Sequence, residues 1–145
     1  ILAHGPQWYL SLGPTAEGGT KIYTVSGKVN NPGVWELPIG ITIREVIEQY
    51  AGGMREGVKL RAVIPGGASS GFVLEKELDT PLDIASLDKV GSRLGTGTLI
   101  VLDDQTCPVA MVLNLQQFYA SQSCGWCTPC REGFPYLLDL LEPAQ

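Results

Sequence analysis

From residue 21 to 28 apolar and polar positions alternate, with Ile22, Tyr23 and Val25 as β-formers. Asn30-Asn31-Pro32-Gly33 is a turn signal, and Val34 and Trp35 resume an extended pattern up to Leu37. Together these segments predict a β-hairpin closed by Pro38 and Gly40. The period then changes: Ile43, Val46, Ile47 and Tyr50 recur at helical spacing. Thr42 precedes them with Glu45 three residues on, the spacing of a capping box. Gly52-Gly53 offers a left-handed helix end. Short strands are predicted at 60–64 and 99–102, with a loop-rich stretch between them that holds Pro65-Gly66-Gly67, Pro81 and the glycines of 91–97. The order strand, strand, helix, strand, loop, strand predicts a small α+β sheet with one helix on a face. Residues 1–20 read as a connector, because Gly13-Pro14 and Gly18-Gly19 interrupt any period. Trp8, Tyr9 and Leu10 within it could dock on a neighbour.

After Asp104 the pattern turns helical. Thr106 offers a cap and Pro108 suits a first turn, followed by Val109, Val112 and Leu113 in a helix to about Ser121. A second apolar helix is expected from Phe134 to Leu141, with Leu137, Leu138 and Leu141 on one side. Residues 105–145 therefore read as the start of a helical unit, with those leucines left as an exposed apolar patch. The opening Ile1-Leu2-Ala3 runs straight into His4-Gly5-Pro6, which reads as a chain cut from a longer one.

Composition narrows the field. The chain has 145 residues, 44% hydrophobic and 17% charged, enough for a buried core. Its net charge of −5 supplies no electrostatic case for nucleic acid or an anionic membrane. No apolar run approaches the roughly 18 residues of a membrane span, so direct membrane insertion is not expected. Of four cysteines, Cys124, Cys127 and Cys130 fall within seven residues. Such crowding suits metal or redox chemistry in a reducing compartment better than disulfide stapling, and points to the cytoplasm.

The cysteine loop runs Ser123-Cys124-Gly125-Trp126-Cys127-Thr128-Pro129-Cys130-Arg131-Glu132-Gly133. A spacing of three lets a tight loop offer successive sulfurs to different corners of one cluster. Gly125 permits positive φ and Pro129 fixes the turn. We read the three as thiolate ligands of an iron–sulfur cluster, hence an electron-transfer site. A helix expected just after Cys130 would set its positive end near the cluster's charge, and Arg131 adds a cation. Other readings stand beside this one. Zinc usually takes two separated cysteine knuckles, and only one group is present. A thioredoxin-like pair needs Cys-x-x-Cys opening a helix in a βαβ unit. Plain buried cysteines are the bland reading. A four-thiolate cluster lacks one ligand here. Cys107, separated from the loop by a helix, reads as a small buried residue, and the fourth cysteine is expected beyond Gln145.

The loop resembles the cluster signature of the NADH-binding flavoprotein subunit of respiratory complex I, the F subunit of NADH-quinone oxidoreductase. Related NAD-linked hydrogenase and formate dehydrogenase subunits share that likeness. Ser26-Gly27-Lys28-Val29-Asn30-Asn31-Pro32-Gly33, Tyr50-Ala51-Gly52-Gly53-Met54, Ile64-Pro65-Gly66-Gly67 and Gly91-Ser92-Arg93-Leu94-Gly95-Thr96-Gly97 match in order, so the resemblance covers nearly the whole chain. It implies a ubiquitin-like β-grasp of the soluble-ligand-binding (SLBB) type over 21–104. It also implies the first helices of a [4Fe–4S] helical domain over 105–145, with 1–20 as the connector from an N-terminal flavin domain. Cys124, Cys127 and Cys130 match three cluster ligands. In the family, NADH passes a hydride to FMN and the flavin passes electrons singly to the cluster. The partners implied are other peripheral-arm subunits, above all the adjacent iron–sulfur subunit, on the cytoplasmic side of the inner membrane. No GxGxxG occurs in these residues, so NADH and FMN are expected only in the full-length subunit. The alternatives are a β-grasp interaction module of a hydrogenase or formate dehydrogenase subunit, or a zinc-binding domain.

The glycine stretches 64–71 and 91–97 read as tight turns, with ligand binding as the rival. His4 is expected to be solvated. Asp79, Asp83, Asp88, Asp103 and Asp104 are expected to solvate loops, and no catalytic constellation stands out.

Overall fold

In the computed structural model, which describes residues 1–144, the chain opens on a short helix, α1 (Gly5–Leu10). The predicted connector is tied down along its length. The Tyr9 hydroxyl donates to the Thr20 carbonyl (3.0 Å) and accepts from the Thr20 amide (3.2 Å). Glu17 accepts from the amides of Ile84 (2.9 Å) and Ala85 (3.2 Å). The hairpin forms as the alternation predicts: β1 (Thr20–Gly27) pairs antiparallel with β2 (Gly33–Pro38), in a register that sets Tyr23 opposite Trp35.

The helical period becomes α2 (Ile43–Glu45), which passes directly into a π-helical turn at Val46–Tyr50. The capping box is present: the Thr42 hydroxyl accepts from the Glu45 amide (3.1 Å), and the Thr42 amide donates to the Glu45 carboxylate (2.9 Å). Gly52 and Gly53 end the segment at positive φ. Three strands complete the sheet: β3 (Leu60–Ile64), β4 (Val73–Leu74) and β5 (Thr98–Asp103). The order is β2-β1-β5-β3-β4. β5 lies parallel to β1 and antiparallel to β3, and β3 is antiparallel to β4. Held between two strands, β5 is nearly continuous in apolar residues. Tyr23, Val25, Val63, Leu99 and Val101 face Ile43, Val46 and Ile47 of the helical segment, all of them buried. Each such side chain contributes on the order of 1.5–3 kcal/mol by leaving water.

The stretch expected to be loop between β3 and β5 is not all loop. It holds β4 and a helix, α3 (Ile84–Lys89), so the sheet carries more than the single predicted helix. Asp83 caps α3, its carboxylate accepting from the Ser86 amide at 2.6 Å. Asp83 and Asp103 are 4% and 2% exposed, so the expectation that they solvate loops is corrected. Asp79 does lie at the surface, paired with Arg44 (2.6 Å), and that guanidinium holds its carboxyl below the usual range.

The motifs meet in pairs. The Asn30 side chain donates to the carbonyls of Gly52 (2.8 Å) and Met54 (3.0 Å), joining the hairpin turn to the double glycine. The Thr96 amide donates to the Gly66 carbonyl (3.2 Å), and the Ser92 hydroxyl to the Gly71 carbonyl (2.8 Å). The two glycine stretches are thus bonded to each other.

Residues 1–104 form one compact unit and the residues after Asp104 a second. The second holds α4 (Pro108–Gln122), α5 (Thr128–Arg131) and α6 (Gly133–Leu141). The cap of α4 falls on Cys107 and not on Thr106 as expected, with Pro108 in the first turn. Tyr119 of α4 stacks on Phe134 of α6, ring centroids 6.1 Å apart. Phe134, Leu138 and Leu141 share one half-buried face, whereas Leu137 and Leu140 are exposed. The expected stripe is therefore corrected in its burial and not in its spacing: Leu138 and Leu141 are half-buried, while Leu137, one turn from Phe134 and Leu141 along the same side, is exposed. Among the described residues no helix is long and apolar enough to cross a membrane.

Candidate metal centre

The segment 123–127 links α4 to α5, with Cys124 and Cys127 in it and Cys130 inside α5. Its first turn is set by side chain and backbone together. The Ser123 hydroxyl accepts from the Gly125 amide (3.1 Å), a local bond that competes with helix continuation and ends α4. Gly125 then takes φ +67°, open to glycine at little cost, as the sequence predicts. Cys127 stands at the N-cap of α5, and its carbonyl accepts from the amides of Cys130 (3.2 Å) and Arg131 (3.0 Å). Pro129 sits in the first turn, where its missing N–H costs nothing. The helix predicted just after Cys130 is α6, which begins at Gly133; the short α5, from Thr128, is not predicted by the pattern and holds Cys130 itself. The four residues of α5 are too few to carry a dipole of their own.

All four cysteines are free. Cys124 and Cys127 are exposed and Cys130 is half-buried. Among the described residues, no three cysteine, histidine or carboxylate side chains gather closely enough to hold one metal ion. A mononuclear zinc site needs such convergence, its thiolates all about 2.3 Å from one point. A four-iron cluster asks for less, because each thiolate takes a different iron. The donor set fits that requirement: three unbonded thiols at successive spacings of three, reachable from solvent, on a loop with its turn already formed. Cys107 is exposed, which corrects the buried reading. It stands at the far end of α4 from the loop, and a 15-residue helix is about 22 Å long, so Cys107 is no partner for these three.

Arg131 does more than the cation read from sequence. Its Nε donates to the Glu132 carboxylate (2.9 Å), and one terminal nitrogen reaches the carbonyls of Gly125 and Trp126, both at 3.4 Å. Sequence reasoning missed these carbonyl bonds, because no residue spacing announces a side chain that folds back onto its own loop. Beside the loop an open groove of about 710 Å³ runs along α5 and α6, lined by Pro129, Glu132, Pro135, Tyr136 and Asp139.

Comparison with known proteins accounts for both units. Residues 22–73 match the SLBB domain family. Residues 110–145 match the NADH-ubiquinone oxidoreductase-F iron-sulfur binding region. The F subunit of the Escherichia coli K12 NADH-quinone oxidoreductase is 49% identical over 97% of this chain, which spans 32% of that protein. The corresponding F subunit of Streptomyces coelicolor is 43% identical over 97% of the chain and 31% of the relative. Among solved structures, an NAD+-reducing [NiFe]-hydrogenase in the air-oxidized state superposes with a TM-score of 0.83 at 32% identity. That match covers 98% of this chain and 24% of the hydrogenase chain. The chain spans about a third of the length of the curated relatives it matches. Over nearly its whole length this chain is thus similar to one stretch of the NADH-quinone oxidoreductase F subunits, and its residues 110–145 match the iron-sulfur binding region named for them.

Proposed function

We propose that Cys124, Cys127 and Cys130 are three of the four cysteine ligands of a [4Fe–4S] cluster in the flavoprotein subunit of an NADH:quinone oxidoreductase. One observation carries this reading. The region matching the family's iron–sulfur binding region contains all three cysteines, on a loop whose turn is already set by Gly125. When bound, such a cluster accepts single electrons from an FMN that NADH has reduced by hydride. This chain's residues hold and orient. The three thiolates supply ligation, Ser123 and Gly125 shape the approach, and Pro129 fixes the step from Cys127 to Cys130. FMN and NADH belong to the full-length subunit, and the fourth cysteine to sequence outside these residues.

We read the first unit as a β-grasp domain over 21–104 joined to a flavin domain by the connector 1–20. Its parallel β1/β5 pair at the centre of a five-stranded mixed sheet, and the helix capped by Thr42, support that reading. Residues 105–145 are the start of the cluster domain. The partners are peripheral-arm subunits, above all an adjacent iron–sulfur subunit, on the cytoplasmic side of the membrane. The likeness to an NAD+-reducing hydrogenase supports a second reading, in which the parent enzyme feeds a hydrogenase. The higher identity to the quinone-reductase F subunits favours the first.

The test is metal analysis and absorbance of the full-length subunit, purified without oxygen. Iron and sulfide in equal amounts, with a broad visible band that bleaches when NADH is added, are expected. A colourless protein holding stoichiometric zinc contradicts the proposal.

A further inference from the structure

We propose that Arg131 is a positioning residue for the cluster, clamping the backbone between Cys124 and Cys127. The inference rests on the cluster reading above. Gly125 and Trp126 are the two residues between those cysteines, and both of their carbonyls accept from one terminal nitrogen of Arg131, at 3.4 Å each. The guanidinium is itself aimed by Glu132, which accepts from Nε at 2.9 Å. Arg131 also follows Cys130 directly on α5. One side chain therefore ties all three cysteine positions: it grows beside Cys130 and grips the segment that joins the other two.

The need for a clamp is visible in the loop. The Trp126 side chain is 86% exposed, so no packing holds the peptide between the cysteines. A Cβ at Gly125 would meet nothing within 4 Å. Apart from the Ser123 bond to the Gly125 amide, the carbonyl contacts from Arg131 are the tertiary restraint on this segment among the described residues. The planar fork of arginine can direct one nitrogen to a carboxylate and another to carbonyls at once. The ammonium of lysine keeps the charge without the fork.

The experiment compares Arg131→Lys and Arg131→Gln with the unaltered full-length subunit in its complex. Iron release to a chelator and the midpoint potential of the bound cluster are read, with the thermal unfolding midpoint as the control for folding. Both variants are expected to release iron about three- to tenfold faster, as loss of one or two charge-assisted bonds requires. Both are also expected to shift the potential while the unfolding midpoint is unchanged. A shift in Arg131→Lys reads geometry, because that variant keeps the charge. Native release rates in both variants overturn the proposal. So does native behaviour of Arg131→Lys beside an altered Arg131→Gln, which would make the role electrostatic. If the unaltered protein shows no bleaching iron–sulfur band, the cluster reading itself has failed, which is a different result.

Discussion

Gly66 has no positive φ, so its smallness serves packing and not conformation. A Cβ there would press on the Arg93 carbonyl and the backbone of Leu94. Backbone atoms cannot rotate away as a side-chain tip can. Gly66→Ala is therefore expected to cost about 1–3 kcal/mol by overpacking, measured by urea unfolding. Tyr23 answers differently, to pH. Its hydroxyl donates to the Leu82 carbonyl (3.1 Å) in the core. Burial, with Asp83 and Glu17 nearby, pushes its pKa from 10.0 up to about 12. A raised pKa means that the folded state keeps the proton longer than the unfolded chain. The stability this contributes is whole below pH 10 and is lost as pH rises towards 12. Tyr23→Phe should flatten that part of the alkaline unfolding curve, and an unchanged slope would show that the residue does not contribute it. Of the site, the residue types and their spacing were legible in the sequence, including positive φ at Gly125. The carbonyl grip of Arg131 was not, since it depends on a side-chain path that no pattern encodes.

Among the elements, α2 shows how local chemistry starts a helix that packing then completes. Thr42 and Glu45 satisfy each other's amides, and Thr42→Ala should cost about 1 kcal/mol through the lost cap, read from the urea midpoint. The Thr42 amide and hydroxyl hold the Glu45 carboxyl below its ordinary range. Arg44 does the same for Asp79. Both folded-state values lie under the unfolded ones, so their stabilisation is present above the unfolded carboxylate range and lost as pH falls through the folded values. Glu45→Gln should therefore shallow the acid limb of the stability profile. An acid limb as steep as that of the unaltered chain would contradict this. The cap of α2 was readable because its signal is local, four residues long. The six residues of α3 were not: their cap, Asp83, stands beside Pro81 and several acids that read as loop, and Leu87 alone supplies a buried apolar anchor. The sheet order was equally hidden, because the parallel β1/β5 pair joins strands more than seventy residues apart.

For the molecule as a whole, the division after Asp104 separates two tasks. The first unit is a sheet core that closes on itself, its glycine turns filled by one another. The second has three helices, α4 and α6 stacked through Tyr119 and Phe134, with the cysteines in the turn and in α5 between them. Their exposed side chains, Trp126, Tyr136 and Leu140 among them, leave apolar surface on that unit. The electron-transfer role stands or falls with the proposal that Cys124, Cys127 and Cys130 ligate one tetranuclear cluster. The deciding measurement is electron paramagnetic resonance of the NADH-reduced full-length subunit, with each of the three changed singly to alanine and Cys107→Ala beside them. Each of the three changes should abolish the same signal and remove about four irons per protein, while Cys107→Ala keeps both. A signal that survives in Cys127→Ala, or vanishes in Cys107→Ala, would contradict this ligation.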